Sequence, residues 1–369
     1  MSDRSAMPGS LDAEARALLA RADAAALRAR VALATAIDDM FLPEAERLDN
    51  RTRAALGATI AAMAGGIEGE LVERAGRMLA ARGAGVPAGA LAGGAPLVER
   101  LASAGLLHDA DFVGECLARV RLELLAAAMP GEATEGEIPS VLARLAQSSD
   151  RVVASAAAGV MIGESQRRGV AESGALVGTG LPAGLHARLL WWVAAALRER
   201  AAAVAPDQIA AIDRAITEAA LRNLAAHDEG DRLESVAMRL AAAIEAEEQE
   251  LPALLDEMLR DRRLVMIAAF VAHALGTSFD LARELLTDAA RDRLWLVLRA
   301  LDVPRDVMAR IGYQLSEADP RCDADGFADT LDVAMAVDAE TARIAVEPLR
   351  LHPGYRAAVV ALGAAGPLR

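Results

Sequence analysis

The sequence predicts an all-α protein, an irregular HEAT-like α-solenoid of stacked helical hairpins preceded by an N-terminal helical segment. Three observations carry this expectation. Alanine fills about a quarter of the 369 residues, and with Leu, Arg and Glu it belongs to the strongest helix formers. Aromatic residues, which favour strands, amount to only 3%. Apolar residues recur at helical spacing in segments that come in pairs, and no segment alternates as a strand would.

The elements follow in order. Residues 11–38 read as one long helix, with Leu18, Leu19, Ala22, Ala26 and Leu27 at core spacing, and Pro43 suits the opening of a new segment. Two helices, 51–64 and 67–82, are expected on either side of Gly65-Gly66, a C-terminal stop signal. These make the N-terminal helical segment, 1–82. A Gly, Ala and Pro-rich connection, 83–96, has room for one short helical turn.

Paired helices then set in at 96–105 and 109–128, with His108-Asp109 at their junction. After a polar break at 130–137 come 138–148 and 150–164, with Asp150 placed as an N-cap. The run from Asp150 to Ala158 resembles the second helix of a HEAT repeat, an Asp opening a helix whose inner face is small. Residues 96–165 are therefore expected as HEAT-like hairpins. Gly163 to Gly184 holds six glycines and is the expected boundary before a C-terminal helical-repeat domain, 182–369. Its helices are expected at 185–197, 206–226, 231–247, 250–260, 262–275, 278–289, 291–301, 304–316, 326–336, 339–348 and 353–363.

Several segments together resemble an alphaproteobacterial domain-of-unknown-function family with HEAT-like helices. They are Leu42-Pro43-Glu44-Ala45-Glu46-Arg47-Leu48 with Ile67-Glu68-Gly69-Glu70-Leu71, and Leu181-Pro182-Ala183-Gly184-Leu185-His186 leading into Leu189-Leu190-Trp191. Arg262-Arg263-Leu264 through Leu285-Leu286 and Ala300-Leu301-Asp302-Val303-Pro304 complete the set. The resemblance covers most of the chain and implies an all-α repeat fold. It supplies no catalytic residues.

Chemistry is sparsely signalled. A formal charge of −14 argues against nucleic-acid binding. Lysine is absent, which removes a phosphate-loop signature and Schiff-base catalysis. The start lacks the layout of a signal peptide, and the apolar stretches Leu189–Leu197 and Leu264–Ala272 fall short of the roughly 18 residues of a membrane span. A cytoplasmic protein without membrane insertion is expected. Cys116 and Cys322 form no disulfide framework, and Cys116 reads as a small core residue.

Arg321 to Asp332 matches an EF-hand loop at its third, fifth and sixth positions, Asp323, Asp325 and Gly326, but Arg321 stands where the first ligand belongs. The stretch from Asp323 to Asp332 is better read with Asp323 or Asp325 capping the helix that follows. Gly178-Thr179-Gly180 with Gly184 misses the dinucleotide-loop spacing and has no strand before it. His108, His186, His227, His273 and His352 lack metal-ligand spacing. No catalytic, cofactor or metal residue is therefore expected, and no cofactor.

Two features suggest a partner surface. Trp191-Trp192 point about 100° apart on a helix, so both cannot centre one apolar stripe; burial on two sides between layers explains them about as well as one Trp exposed as an interface anchor. Glu245, Glu247, Glu248 and Glu250 form an acidic run that reads as a solvated face or as a dock for a basic partner. The expected function is a non-enzymatic protein–protein interaction scaffold with an unidentified protein partner, and helix 11–38 is a candidate for self-association as a homodimer. The alternative is a small-molecule sensor or enzyme with a site between helices. It gains ground wherever His, Arg and Asp residues converge in one pocket.

Overall fold

Helix is the only regular structure among the described residues of a computed structural model, which are 47–130, 140–173, 178–322 and 326–364. The expected helix 11–38 and most of the break at 130–137 lie outside them. The chain divides into two compact units, 1–50 and 51–369. Apart from 47–50, the described residues all belong to the second.

The helices are α1 (Asn50–Ala81), α2 (Gly85–Leu91), α3 (Leu97–Ser103), α4 (Ala110–Ala128), α5 (Val141–Ala146) and α6 (Arg151–Ser173). Then come α7 (Ala183–Val204), α8 (Ile209–Ala226), α9 (Leu233–Ile244), α10 (Leu251–Arg260), α11 (Leu264–Leu275) and α12 (Phe279–Thr287). The last are α13 (Asp292–Ala300), α14 (Arg305–Ala318), α15 (Phe327–Ala336), α16 (Ala339–Val346) and α17 (Pro353–Ala364). Side-chain caps begin several of them. Asp109 accepts from Phe112 N at 2.9 Å to open α4, and Asp150 accepts from Val152 N at 2.7 Å to open α6. Ser278 caps α12 and Asp338 caps α16.

Two expectations about glycine are corrected. α1 runs without interruption through Gly65-Gly66, where two helices were expected. A helical glycine costs about 1 kcal/mol relative to alanine, whereas each large apolar side chain buried contributes about 1.5–3 kcal/mol. Leu56, Ile60, Met63, Ile67, Leu71 and Leu79 form one buried stripe across the glycines, and that stripe wins. By length and composition α1 also passes as a membrane span, but this stripe packs into a protein core.

Helix α6, expected to end at 164, continues to Ser173 into the glycine-rich stretch, with Gly163 inside it. A Cβ there would stand 3.2 Å from Leu233 Cδ1, and one at Gly159 would stand 3.5 Å from Val236 Cγ1. The two glycines, four residues apart, let α9 pack closely on α6.

The buried side chains form two hydrophobic clusters that interleave along the chain. The first joins α1–α3 and the start of α4 to α7 and α8, through residues such as Leu71, Phe112, Leu189 and Ile212. The second joins the end of α4, α5 and α6 to α9–α16, through residues such as Leu125, Leu240, Phe270 and Leu298. Helix α4 belongs to both, giving Phe112 and Cys116 to one and Leu122 and Leu125 to the other. Sequence neighbours pack as α5 on α6, α7 on α8 and α11 on α12; α4 also meets the distant α12 and α14.

Packing is tightest at Gly312 in α14, where a Cβ would lie 2.0 Å from Phe327 Cε2 and 2.8 Å from Trp295 Cη2. The rings of Trp295 and Phe327 meet there, centroids 5.6 Å apart. Gly65, by contrast, has nothing within 4 Å of its Cβ position. Urea denaturation is expected to separate the two. Gly312→Ala should lose about 2 kcal/mol or more through overpacking. Gly65→Ala should gain about 0.5–1 kcal/mol through helix propensity.

Candidate ligand site at the seam between the two cores

Where the two clusters meet, the contacts turn from apolar to ionic. Helix α4 presents Glu115, Arg119 and Glu123 at four-residue spacing, one above the other on a single face. Arg119 pairs with Glu123 at 3.1 Å. Arg283 of α12 bonds Glu115 Oε2 at 2.7 Å, and Arg232, just before α9, reaches Glu115 Oε1 at 3.3 Å. Arg167 of α6 bridges Glu123 and Glu234, the latter through a short bond. Within the seam, four guanidiniums face three carboxylates; Asp280, well exposed, reaches Arg283 from the solvent side.

The guanidiniums also fasten the loop before α7. Arg119 Nη1 donates to the carbonyl of Thr179 at 3.0 Å, and Arg232 Nε donates to that of Gly180 at 3.1 Å. Gly178 and Gly180 have φ of 81° and 63°, a left-handed backbone that glycine adopts without strain.

Beside the loop, two histidines stack. The rings of His186 in α7 and His227 at the end of α8 lie 4.0 Å apart and nearly parallel, 6° between planes. A polar chain fixes the first ring. Asn223 Nδ2 donates to Glu70 at 2.7 Å, leaving its Oδ1 to accept from His186 Nε2 at 2.8 Å. His186 Nδ1 then accepts from the Thr179 hydroxyl at 2.8 Å. This is the arrangement of a neutral imidazole. His227 Nε2 donates to the carbonyl of Leu181 at 3.0 Å.

These groups line a cavity of about 280 Å³. Arg119, Arg167 and Arg232, the loop 178–180, His186, Asn223, His227 and Glu70 form its walls with Asp228 and Asp231. The electrostatics follow from burial and proximity. Burial, and then the charge of Arg167, pull the Arg119 guanidinium below its ordinary value. Burial alone would raise the Glu234 carboxyl, but the charge and hydrogen bond of Arg167, with help from Arg232, overcome it and bring the value to about 2. Glu234 Oε2 is buried without a hydrogen bond, 3.9 Å from Arg232 Nε. Burial and the neighbouring His227 push His186 below the usual imidazole range, with Asn223 and Glu70 opposing. What this set of groups can do is hold a small polar molecule. Spare guanidinium N–H groups suit an anionic oxygen.

The residues expected from sequence lie elsewhere. Trp191 is 40% exposed, whereas Trp192 packs on the first cluster with its ring edge-to-face on Phe112, centroids 5.7 Å apart. Glu245, Glu247, Glu248 and Glu250 are exposed in the connection from α9 to α10. None of the six lines the cavity. Asp323 and Asp325 lie outside the described residues. At the loop's edges Arg321 grips Asp319 (Nη2 to Oδ2, 2.8 Å) and Asp332 pairs with Arg305. Among the described residues no group of three or more His, Cys, Asp or Glu is placed to hold a metal ion. Burial pushes the Cys116 thiol up to about 12 and that of Cys322 up to about 11, so neither is a thiolate near neutrality.

Sequence reading missed the seam. His186 and His227 stand far apart in the chain and meet only because α7 packs on α8. The one local signal was the spacing of Glu115, Arg119 and Glu123, which on most helices marks a solvated face. No family model matches the chain, nor does any curated protein or any solved structure.

Two measurements probe the seam. Glu234→Gln leaves Arg167 and Arg232 short of a buried countercharge and should cost about 3 kcal/mol by chemical denaturation. The folded chain also resists a proton on His186 that the unfolded chain accepts freely. Stability is therefore full above the ordinary imidazole value of about 6.5 and falls as pH drops below it. Melting curves between pH 7.5 and 5.5 should show a shallower pH slope for His186→Gln than for the parent chain.

Proposed function

We propose that this chain binds a small polar molecule carrying one anionic group, held in the cavity at the seam. The observation that supports this reading is the convergence of Arg119, Arg167 and Arg232 on one small cavity, each with more guanidinium N–H groups than its carboxylate and carbonyl partners take up. The cavity's size suits a metabolite rather than a large cofactor. A molecule seated there touches α4, α6, α8 and the loop before α7, so its binding free energy adds to the cohesion of both clusters. That is the behaviour of a sensor, the reading that competed with the scaffold. The paired helices α5–α6, α7–α8 and α11–α12 support an irregular HEAT-like stack as its framework.

A second reading, the scaffold or homodimer, is favoured by one surface. Tyr355, Val359 and Leu362 form an exposed apolar stripe along α17 at helical spacing. Light scattering of the purified chain is expected to give a dimer mass that Val359→Glu returns to the monomer, and a monomer at every concentration contradicts the homodimer.

A thermal-shift screen of metabolites bearing a single carboxylate or phosphate tests the ligand reading. A binder present at a hundredfold excess over its Kd should stabilise the chain by about 2.7 kcal/mol. Ala226→Phe, which fills the cavity from a position outside the ion network, should remove the response while leaving the circular dichroism unchanged. Absence of any binder across both classes, or a binder indifferent to Ala226→Phe, contradicts it.

A further inference from the structure

We infer that the ligand of the seam cavity is a small zwitterion, an amino-carboxylate whose carboxylate lies on the arginine floor and whose ammonium lies at the acidic mouth. This rests on the reading of the cavity as an anion site and adds the second charge.

The walls of the cavity are sorted by sign and by depth. Its basic members are deep: the side chains of Arg119, Arg167 and Arg232 are 8%, 13% and 14% exposed. Each is already held by partners, Arg119 by Glu123 and Thr179 O, Arg167 by Glu123 and Glu234, and Arg232 by Glu115 and Gly180 O. Their positions are therefore fixed before any ligand arrives, which lowers the ordering cost of binding.

Its acidic members split by role. Glu70 is part-buried and already engaged by Asn223 and Arg74. Asp228 and Asp231 are exposed and flank the mouth on the short turn between α8 and α9. Asp228 uses Oδ1 to accept from Gly230 N at 2.7 Å. The Asp231 carboxylate makes no hydrogen bond or ion pair among the described residues, though Arg232 follows it directly. That arginine turns inward to Gly180 and Glu115 instead of outward to its neighbour.

A plain monoanion entering this cavity would satisfy the floor but pass two carboxylates that repel it. A plain amine would satisfy the mouth and meet guanidiniums beneath. A molecule with both charges, carboxylate leading, meets the complementary sign at each depth. The volume of about 280 Å³ admits a chain of a few carbons between them.

Isothermal calorimetry on the full chain, with a matched panel, tests this. The probes are α- and ω-amino acids of two to six carbons, the hydroxy acids that lack only the ammonium, and the alkylamines that lack only the carboxylate. The expected result is an amino acid that binds about tenfold more tightly than its hydroxy acid, a preference that Asp231→Asn erases without weakening the hydroxy acid. A hydroxy acid that binds as well as its amino acid overturns the zwitterion and leaves the anion site standing. Binding by the alkylamine alone, or by no probe while a phosphate or dicarboxylate binds, also overturns the zwitterion. No binding by any anion overturns both readings together. Because the Asp231 side chain is exposed and unbonded, its substitution leaves the fold intact, and an unchanged melting temperature of the unliganded variant checks that.

Discussion

The arginine–glutamate network on the inner face of α4 is the constraint on which the rest of the molecule depends. Glu115, Arg119 and Glu123 sit between two apolar clusters that share this helix. Burying charges is expensive, and an apolar seam of the same shape would often be as stable. Once charges are there, each must keep its partner, because a single loss leaves an uncompensated ion in a poorly hydrated site. The network thereby fixes where α6, α9 and α12 stand relative to α4, through Arg167, Arg232 and Arg283. Arginine serves this purpose better than lysine, since one guanidinium bonds a carboxylate and a backbone carbonyl at once, as Arg119 does. A chain whose every positive charge is arginine is suited to such a seam.

The cavity is a consequence of that arrangement. Arginines committed to Glu115, Glu123 and Glu234, which lie outside the lining, are held back from collapsing inward, and two guanidiniums on its carbonyls hold the loop 178–180 in place. The glycine at 180 matters sterically too, because a Cβ there would come within 3.4 Å of Arg119 Nη1. The stacked histidines complete the wall. A chain running from Glu70 to the Thr179 hydroxyl holds His186 in the hydrogen-bonding arrangement of a neutral imidazole.

Much of the fold was legible in the sequence and little of the site was. Helix boundaries set by local chemistry, such as the Asp150 cap and the pairs from α10 to α16, follow from capping and periodicity alone. Glycine misled at Gly65-Gly66. There the local cost of glycine in a helix is small beside the burial gained by continuing, and that gain depends on partners distant in sequence. The seam was hidden for a related reason. A charge at every fourth residue has the same spacing on a solvated helix as on a buried one. Only the arrival of Arg167, Arg232 and Arg283 from three other helical regions distinguishes them. The tryptophan pair took one of the two arrangements its spacing allows, Trp192 packed on the first cluster and Trp191 exposed.

The central claim is that the ionic seam couples the two apolar clusters into one cooperative body. Differential scanning calorimetry of the parent chain and of Glu115→Gln tests it most directly, since Glu115 is the carboxylate shared by Arg232 and Arg283. The account predicts a cooperative transition for unit 51–369 in the parent chain that splits into two, one per cluster, in the variant. A variant that still melts in one transition, with a stability loss under about 1 kcal/mol, would contradict it.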